Sequence, residues 1–89
     1  MQDKIKDKKQ IILNALAQTL KELRGQKSQF LFSSENDISI SIINTIEHGK
    51  KDPQLTTLFK IAEACNLKFD EFAAKLLTKL PKDFYLIDK

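Results

Sequence analysis

Residues 28–49 read SQFLFSSENDISISIINTIEHG, and the way this stretch folds decides the rest of the chain. Its second half invites two readings. Residues 38–43, ISISII, alternate β-branched and small polar side chains, the local signature of a half-buried strand. The flanks argue for a helix instead. Ser39 can cap a helix amino terminus, Gly49 can end one, no neighbouring segment offers a partner strand, and Ile43 and Ile46 fall on one helical face. The first half is a short helix in its own right. The Ser28 hydroxyl caps a run through Gln29, Phe30, Leu31, Phe32 and Ser33 that ends near Glu35-Asn36-Asp37, where Asn and Asp tolerate left-handed backbone angles. The stretch therefore predicts two short helices joined by a tight turn, the second over about residues 39–47.

Upstream, Ile12, Leu13, Leu16, Leu20 and Leu23 recur at steps of three and four, an apolar stripe on a helix over roughly residues 9–24 that Gly25 ends. Before it, Lys4, Lys6, Lys8 and Lys9 alternate with Asp3 and Asp7, so residues 1–9 form either a charged arm or an extra turn of that helix. Downstream, Asp52-Pro53 reads as a helix start, with Asp as the cap and Pro in the first turn, where a missing N–H does no harm. Leu55, Leu58, Phe59, Ala62 and Cys65 mark its expected inner face, with Cys65 as a small core residue. After Asn66 a last helix carries Phe69, Phe72, Ala73, Leu76 and Leu80; Asp70 and Glu71 suit its amino end, and Pro81 stops it. Residues 81–89 form a tail whose Phe84, Tyr85, Leu86 and Ile87 are too apolar to stay idle. The expectation is one all-α domain of five helices with no sheet, its core within residues 10–80.

Composition narrows the function. With 89 residues, 42% hydrophobic and 30% charged, the chain suits one small globular core. No apolar run nears the roughly 18 residues that cross a bilayer, and MQDKIKDKK lacks the apolar centre of a signal peptide, so no membrane association and a cytoplasmic location are expected. One cysteine makes no internal disulfide, and Cys65 with His48 cannot assemble a four-ligand zinc site, so no metal and no cofactor are expected. No nucleophile–base pair, paired-acid motif or glycine-rich phosphate loop is present, which argues against an enzyme. The formal charge is +3, and its excess lies early. Residues 1–51 hold nine Lys/Arg against six Asp/Glu, while residues 52–89 hold six of each. That asymmetry suits either an anionic partner or a solvated basic surface.

The order of motifs is more specific than any one of them. LKELRGQK at 20–27, SQ at 28–29, DIS at 37–39, INTIEHGKKDP at 43–53 and LTTLFKIAEACNLKFDEF at 55–72 follow one another at set spacing. Together they resemble the Cro/repressor-type (Xre-like) helix-turn-helix family over residues 16–77. The resemblance implies that Phe32, Ile38, Ile43 and Ile46 lock the second and third helices together, leaving one face of the third free for a DNA major groove. It also implies a structural role for Glu47, paired with Arg24 or a backbone N–H. The sequence departs from the family in lacking two residues, Gly-Leu, before Ser28, and in carrying Ser33 for Ala, Asp37 for Gly and Lys68 for a Ser cap. Its third helix has no Lys or Arg and presents Ile40 where a polar or basic residue is common.

By this resemblance the DNA-facing residues are Ser28 and Gln29 at the start of the second helix, and Ser39, Ile40, Ser41, Ile42, Asn44 and Thr45 on the third. Gln29 suits a phosphate or an adenine edge, Asn44 and Thr45 suit hydrogen bonds to bases, and Ile40 and Ile42 suit thymine methyls, Ile42 being equally a core candidate. Lys27, Lys50 and Lys51 are the candidate phosphate contacts, and His48 is expected to help close the third helix. The implied function is a sequence-specific regulator of transcription, a repressor binding double-stranded DNA as a homodimer through Leu76, Leu80, Phe84, Tyr85 and Leu86. The alternative is a protein-interaction or antitoxin-like module on the same scaffold.

Overall fold

The computed structural model describes residues 2–87, with side chains from Lys6 onward. Five helices follow in order: α1 (Gln2–Arg24), α2 (Gln29–Asn36), α3 (Ile40–Glu47), α4 (Leu55–Ala64) and α5 (Phe69–Leu77). There is no strand among the described residues, so the strand-like alternation at 38–43 yields to burial. Leu16, Leu20, Phe32, Ile38, Ile43, Ile46, Ile61, Ala62 and Phe72 form one buried cluster drawing on every helix. No helix of the described residues is long and apolar enough to cross a membrane.

α1 is the longest helix, at 23 residues. The charged stretch before Gln10 continues the helix from Gln2, the second of the two arrangements its sequence allows. Leu13, Leu16 and Leu20 are buried as the stripe requires, and Ala15, Ala17 and Thr19 broaden the buried face. Thr19 satisfies its hydroxyl by donating to the Ala15 carbonyl at 2.8 Å. Gly25 ends α1 at φ +62°, with its N–H returned to the Lys21 carbonyl, a left-handed stop that glycine adopts without steric cost.

The fourth and fifth helices depart from expectation at their boundaries. α4 begins at Leu55 with Gln54 in the cap position, two residues later than an Asp52 cap would give. The Asp52 carboxylate instead meets the Lys9 ammonium at 3.3 Å. The inner face is also turned from the expected one. Ile61 and Ala62 are buried and Leu58 packs against the cluster, whereas Leu55 and Phe59, expected inside, are exposed. Phe59 stacks on Phe69 at 4.3 Å between ring centroids. Cys65 is half-buried against the core at the end of α4, and desolvation pushes its thiol pKa up.

α5 opens without a side-chain cap from Lys68, but the Lys68 N–H donates to Glu71 Oε1 at 2.8 Å, half of a capping box. It ends at Leu77, not at Leu80. Residues 78–80 tighten into turns, with Lys79 N–H on the Leu76 carbonyl and Leu80 N–H on the Leu77 carbonyl. The residue before a proline is pushed out of the α region, so Pro81 acts before it is reached. Lys79 Nζ lies 2.9 Å from Glu22, tying this end to α1.

Candidate nucleic-acid interface

The α2–turn–α3 unit is built from its caps. Ser28 Oγ accepts the Leu31 N–H at 3.0 Å and starts α2. Asp37 sits at φ 53°, ψ 44°, making the left-handed turn without glycine, and returns its N–H to the Ser33 carbonyl. Ser33, a departure from the family's small apolar residue, uses its hydroxyl to bond the Ile38 carbonyl across the same turn. Ser39 Oγ then accepts from the N–H groups of Ser41 and Ile42 and starts α3. Two serine caps and one Asp turn thus fix the angle at which α3 leaves α2.

At the far end His48 caps α3, its Nδ1 2.7 Å from the Asn44 carbonyl. Gly49 follows at φ +68° and lies against α1, where an added Cβ would come 2.7 Å from Asn14 Oδ1. Gln10 Nε2 donates to the Gly49 carbonyl at 2.9 Å. The end of α3 is held on α1 through the side-chain amides of Gln10 and Asn14, which pack against Gly49.

Behind the exposed face lies a buried charge. Arg24 donates to Glu47 through Nε at 2.7 Å and Nη2 at 2.8 Å, a two-point pairing. It also donates through Nη1 to the Lys27 carbonyl. Gln29 adds a third bond, Nε2 to Glu47 Oε1 at 2.9 Å. Burial alone raises the Glu47 pKa. The bonds from Arg24 and Gln29, with the charges of Arg24 and Lys21, outweigh that and hold it below the ordinary carboxylate value. The Glu47–Arg24 partnership drawn from the resemblance is the one the structure contains.

The candidate contact residues divide by placement. Ser28, Ser39, Ile40, Ser41 and Asn44 are exposed, and Gln29 is half-buried. Thr45 is also half-buried rather than open, and its hydroxyl lies within bonding distance of the Ser41 and Ile42 carbonyls, at 3.0 and 3.1 Å. Ile42 is half-buried and packs against the core. Lys27 is paired with Glu35 at 2.6 Å. Lys50 and Lys51 are exposed just past α3 with no ion pair among the described residues. Sequence reasoning missed that Gln29 and Asn44 meet: Asn44 Nδ2 donates to Gln29 Oε1 at 3.1 Å. Their 15-residue separation spans a turn whose geometry local patterns do not give.

Two short helices joined by a left-handed turn, the second offering a polar face beside flanking lysines, define a helix-turn-helix. The helix-turn-helix family model matches residues 32–72, within the segment that carries the Cro/repressor-type (Xre-like) resemblance. The chain is also 42% identical over 52 residues to the plasmid copy control protein CopR of Streptococcus agalactiae, a stretch that covers 58% of this chain and 56% of that protein. The match thus spans little more than half the length of that relative. No solved structure matches the chain.

Proposed function

We propose that this chain binds double-stranded DNA as a sequence-specific transcriptional regulator, acting as a repressor. The observation that carries this reading is the exposed face of α3 with Ser41 and Asn44, followed just past the helix by the exposed Lys50 and Lys51. Polar side chains on a major-groove helix read base edges, while flanking lysines neutralise phosphates without reading sequence. The exposed amino end of α2 at Ser28 suits a phosphate in the usual manner of helix termini. Copy control in the name of the streptococcal relative agrees with a regulatory role.

Binding to mixed-sequence duplexes, followed by fluorescence anisotropy between 50 and 200 mM salt, tests this directly. Affinity is expected to fall linearly on a log–log scale. Lys50→Ala or Lys51→Ala should weaken all duplexes alike and flatten the slope by about 0.9 for each phosphate left without its lysine. Asn44→Ala should cost about 1–3 kcal/mol on a selected site and little on random duplexes. The exposed Phe30, Leu31 and Ile40 favour a second reading, in which the same scaffold docks another protein. A wild-type chain showing no salt-dependent duplex binding would support that reading and defeat the first.

The proposal includes a homodimer. A lone helix-turn-helix reads a short stretch of duplex, and two copies with recognition helices about 34 Å apart reach successive major grooves. Tyr85, Leu86 and Ile87 are exposed, as is Leu77 on α5, while Leu76, Leu80 and Phe84 are half-buried. The tail borders a shallow recess with Lys8 and Ile11 of α1, leaving apolar surface open beside it. Ending the chain after Leu80 is expected to convert dimer to monomer in sedimentation equilibrium with helical content largely retained. A monomeric full-length chain would defeat the dimer.

A further inference from the structure

The buried ion pair dictates which way an exposed amide faces. An ionised carboxylate only accepts hydrogen bonds. The Gln29 side chain lies with Nε2 2.9 Å from Glu47 Oε1, so reversing that amide would set a carbonyl oxygen against a carboxylate oxygen. Its own oxygen is therefore turned toward α3, where it accepts Asn44 Nδ2 at 3.1 Å. The same logic then acts on Asn44. An oxygen on the Gln29 side draws the Asn44 NH2 group inward, and Asn44 Oδ1 is left with no hydrogen-bond partner among the described residues. The chain of constraint runs Arg24, Glu47, Gln29, Asn44: a cation fixes a carboxylate, the carboxylate fixes one amide, and that amide fixes the next.

We propose that Gln29 is a positioning residue that sets the base preference of Asn44, holding its amide with Oδ1 and the remaining N–H turned outward to favour adenine. This rests on the DNA-binding reading above. In the major groove adenine offers an N6–H2 donor and an N7 acceptor side by side, the complement of an oxygen next to an N–H. Guanine offers two acceptors, N7 and O6, so an amide held in this orientation sets oxygen against oxygen there. An Asn free to turn over could present its NH2 to guanine and would discriminate less. The base preference of an exposed residue is thus governed by a charge pair that does not touch DNA.

Gln29→Ala tests this, because it leaves both Arg24–Glu47 hydrogen bonds in place, and far-ultraviolet circular dichroism checks that the variant keeps its helices. Wild type and variant would each select from a randomised duplex pool. Affinities would then be measured for duplexes differing only as adenine or guanine at the position that Asn44→Ala renders indifferent. Wild type is expected to favour adenine by about tenfold or more. Gln29→Ala should cut that ratio to about threefold or less while shifting affinity for random duplexes much less. A variant that keeps the full adenine preference overturns the proposal. So does one that loses affinity equally for every base, since Gln29 would then be a phosphate contact that reads no sequence and, being uncharged, leaves the salt slope unchanged. A wild type that binds no duplex defeats the DNA reading itself and this proposal with it, and it is told apart by the missing wild-type binding.

Discussion

Arg24→Ala is expected to destabilise the fold by about 3 kcal/mol at neutral pH, an effect large enough to threaten folding of so small a domain. The Glu47 side chain is 2% exposed and that of Arg24 17% exposed. Removing the guanidinium leaves a carboxylate in the interior with the Gln29 amide as its remaining side-chain donor. A charge stranded in this way costs more than an exposed ion pair is worth, which is typically under about 1 kcal/mol. The partial exposure of Arg24 puts the effect at the lower end of the buried range, because water can enter beside it. The pH dependence carries a second signature. In the native protein the Glu47 pKa is lowered on folding, so the pair's stabilisation is fully present above the unfolded carboxylate value of about 4.3 and is lost as pH falls through the lower folded value. In the variant, desolvation is opposed only by the Gln29 bond and the Lys21 charge, so the folded pKa rises from its native value, and the deficit shrinks as pH falls and the carboxyl takes up a proton. Urea denaturation at pH 7 and at pH 4 should show the two stabilities converging in acid; a constant difference would place the cost elsewhere.

What the sequence made legible were the features that act locally. Ser28, Ser39 and Gly49 are capping and terminating residues whose effect reaches only a few positions, and each does in the structure what its type and place imply. The Asp37 turn is of the same kind. What stayed hidden depends on how elements meet. Pro53 marks a helix start, but which side of the helix turns inward is set by how it packs, and packing brings Leu58, Ile61 and Ala62 to the core. That packing exposed Leu55 and Phe59 and buried Ile61, an assignment that hydrophobicity alone could not make. Similarly, Glu47 and Arg24 were visible as partners through the order of motifs, whereas the Gln29–Asn44 bond required the packed turn between α2 and α3. The candidate contact residues were legible as chemical types. Their states of pairing, with Lys27 held by Glu35 and Thr45 bonded within its own helix, were not.

The strand-like run at 38–43 supplies the sharpest test of how α3 is built. Ile43→Ala is expected to cost about 2–5 kcal/mol, because Ile43 is fully buried in the cluster and its removal leaves a cavity on top of the lost transfer energy. Ile40→Ala should change stability by no more than about 0.5 kcal/mol, because Ile40 is 44% exposed in the first turn of α3 and Ala favours helix over a β-branched residue. The two readings of the sequence order these residues oppositely. In a strand, successive side chains alternate, so Ile38, Ile40 and Ile42 share one face and Ile43 joins Ser39 and Ser41 on the other. Ile40 would then be the costly position and Ile43 the cheap one. In the helix, Ile43 and Ile46 are three apart and turn inward together, leaving Ile40 at the edge of the outward face with Ser41 and Asn44. Ile38 is buried and shares the strand's apolar face, so it does not discriminate. Urea titrations of the two variants, read by far-ultraviolet circular dichroism, give the order directly. A large loss at Ile40 with a small one at Ile43 would remove α3, and with it the face on which DNA recognition is proposed.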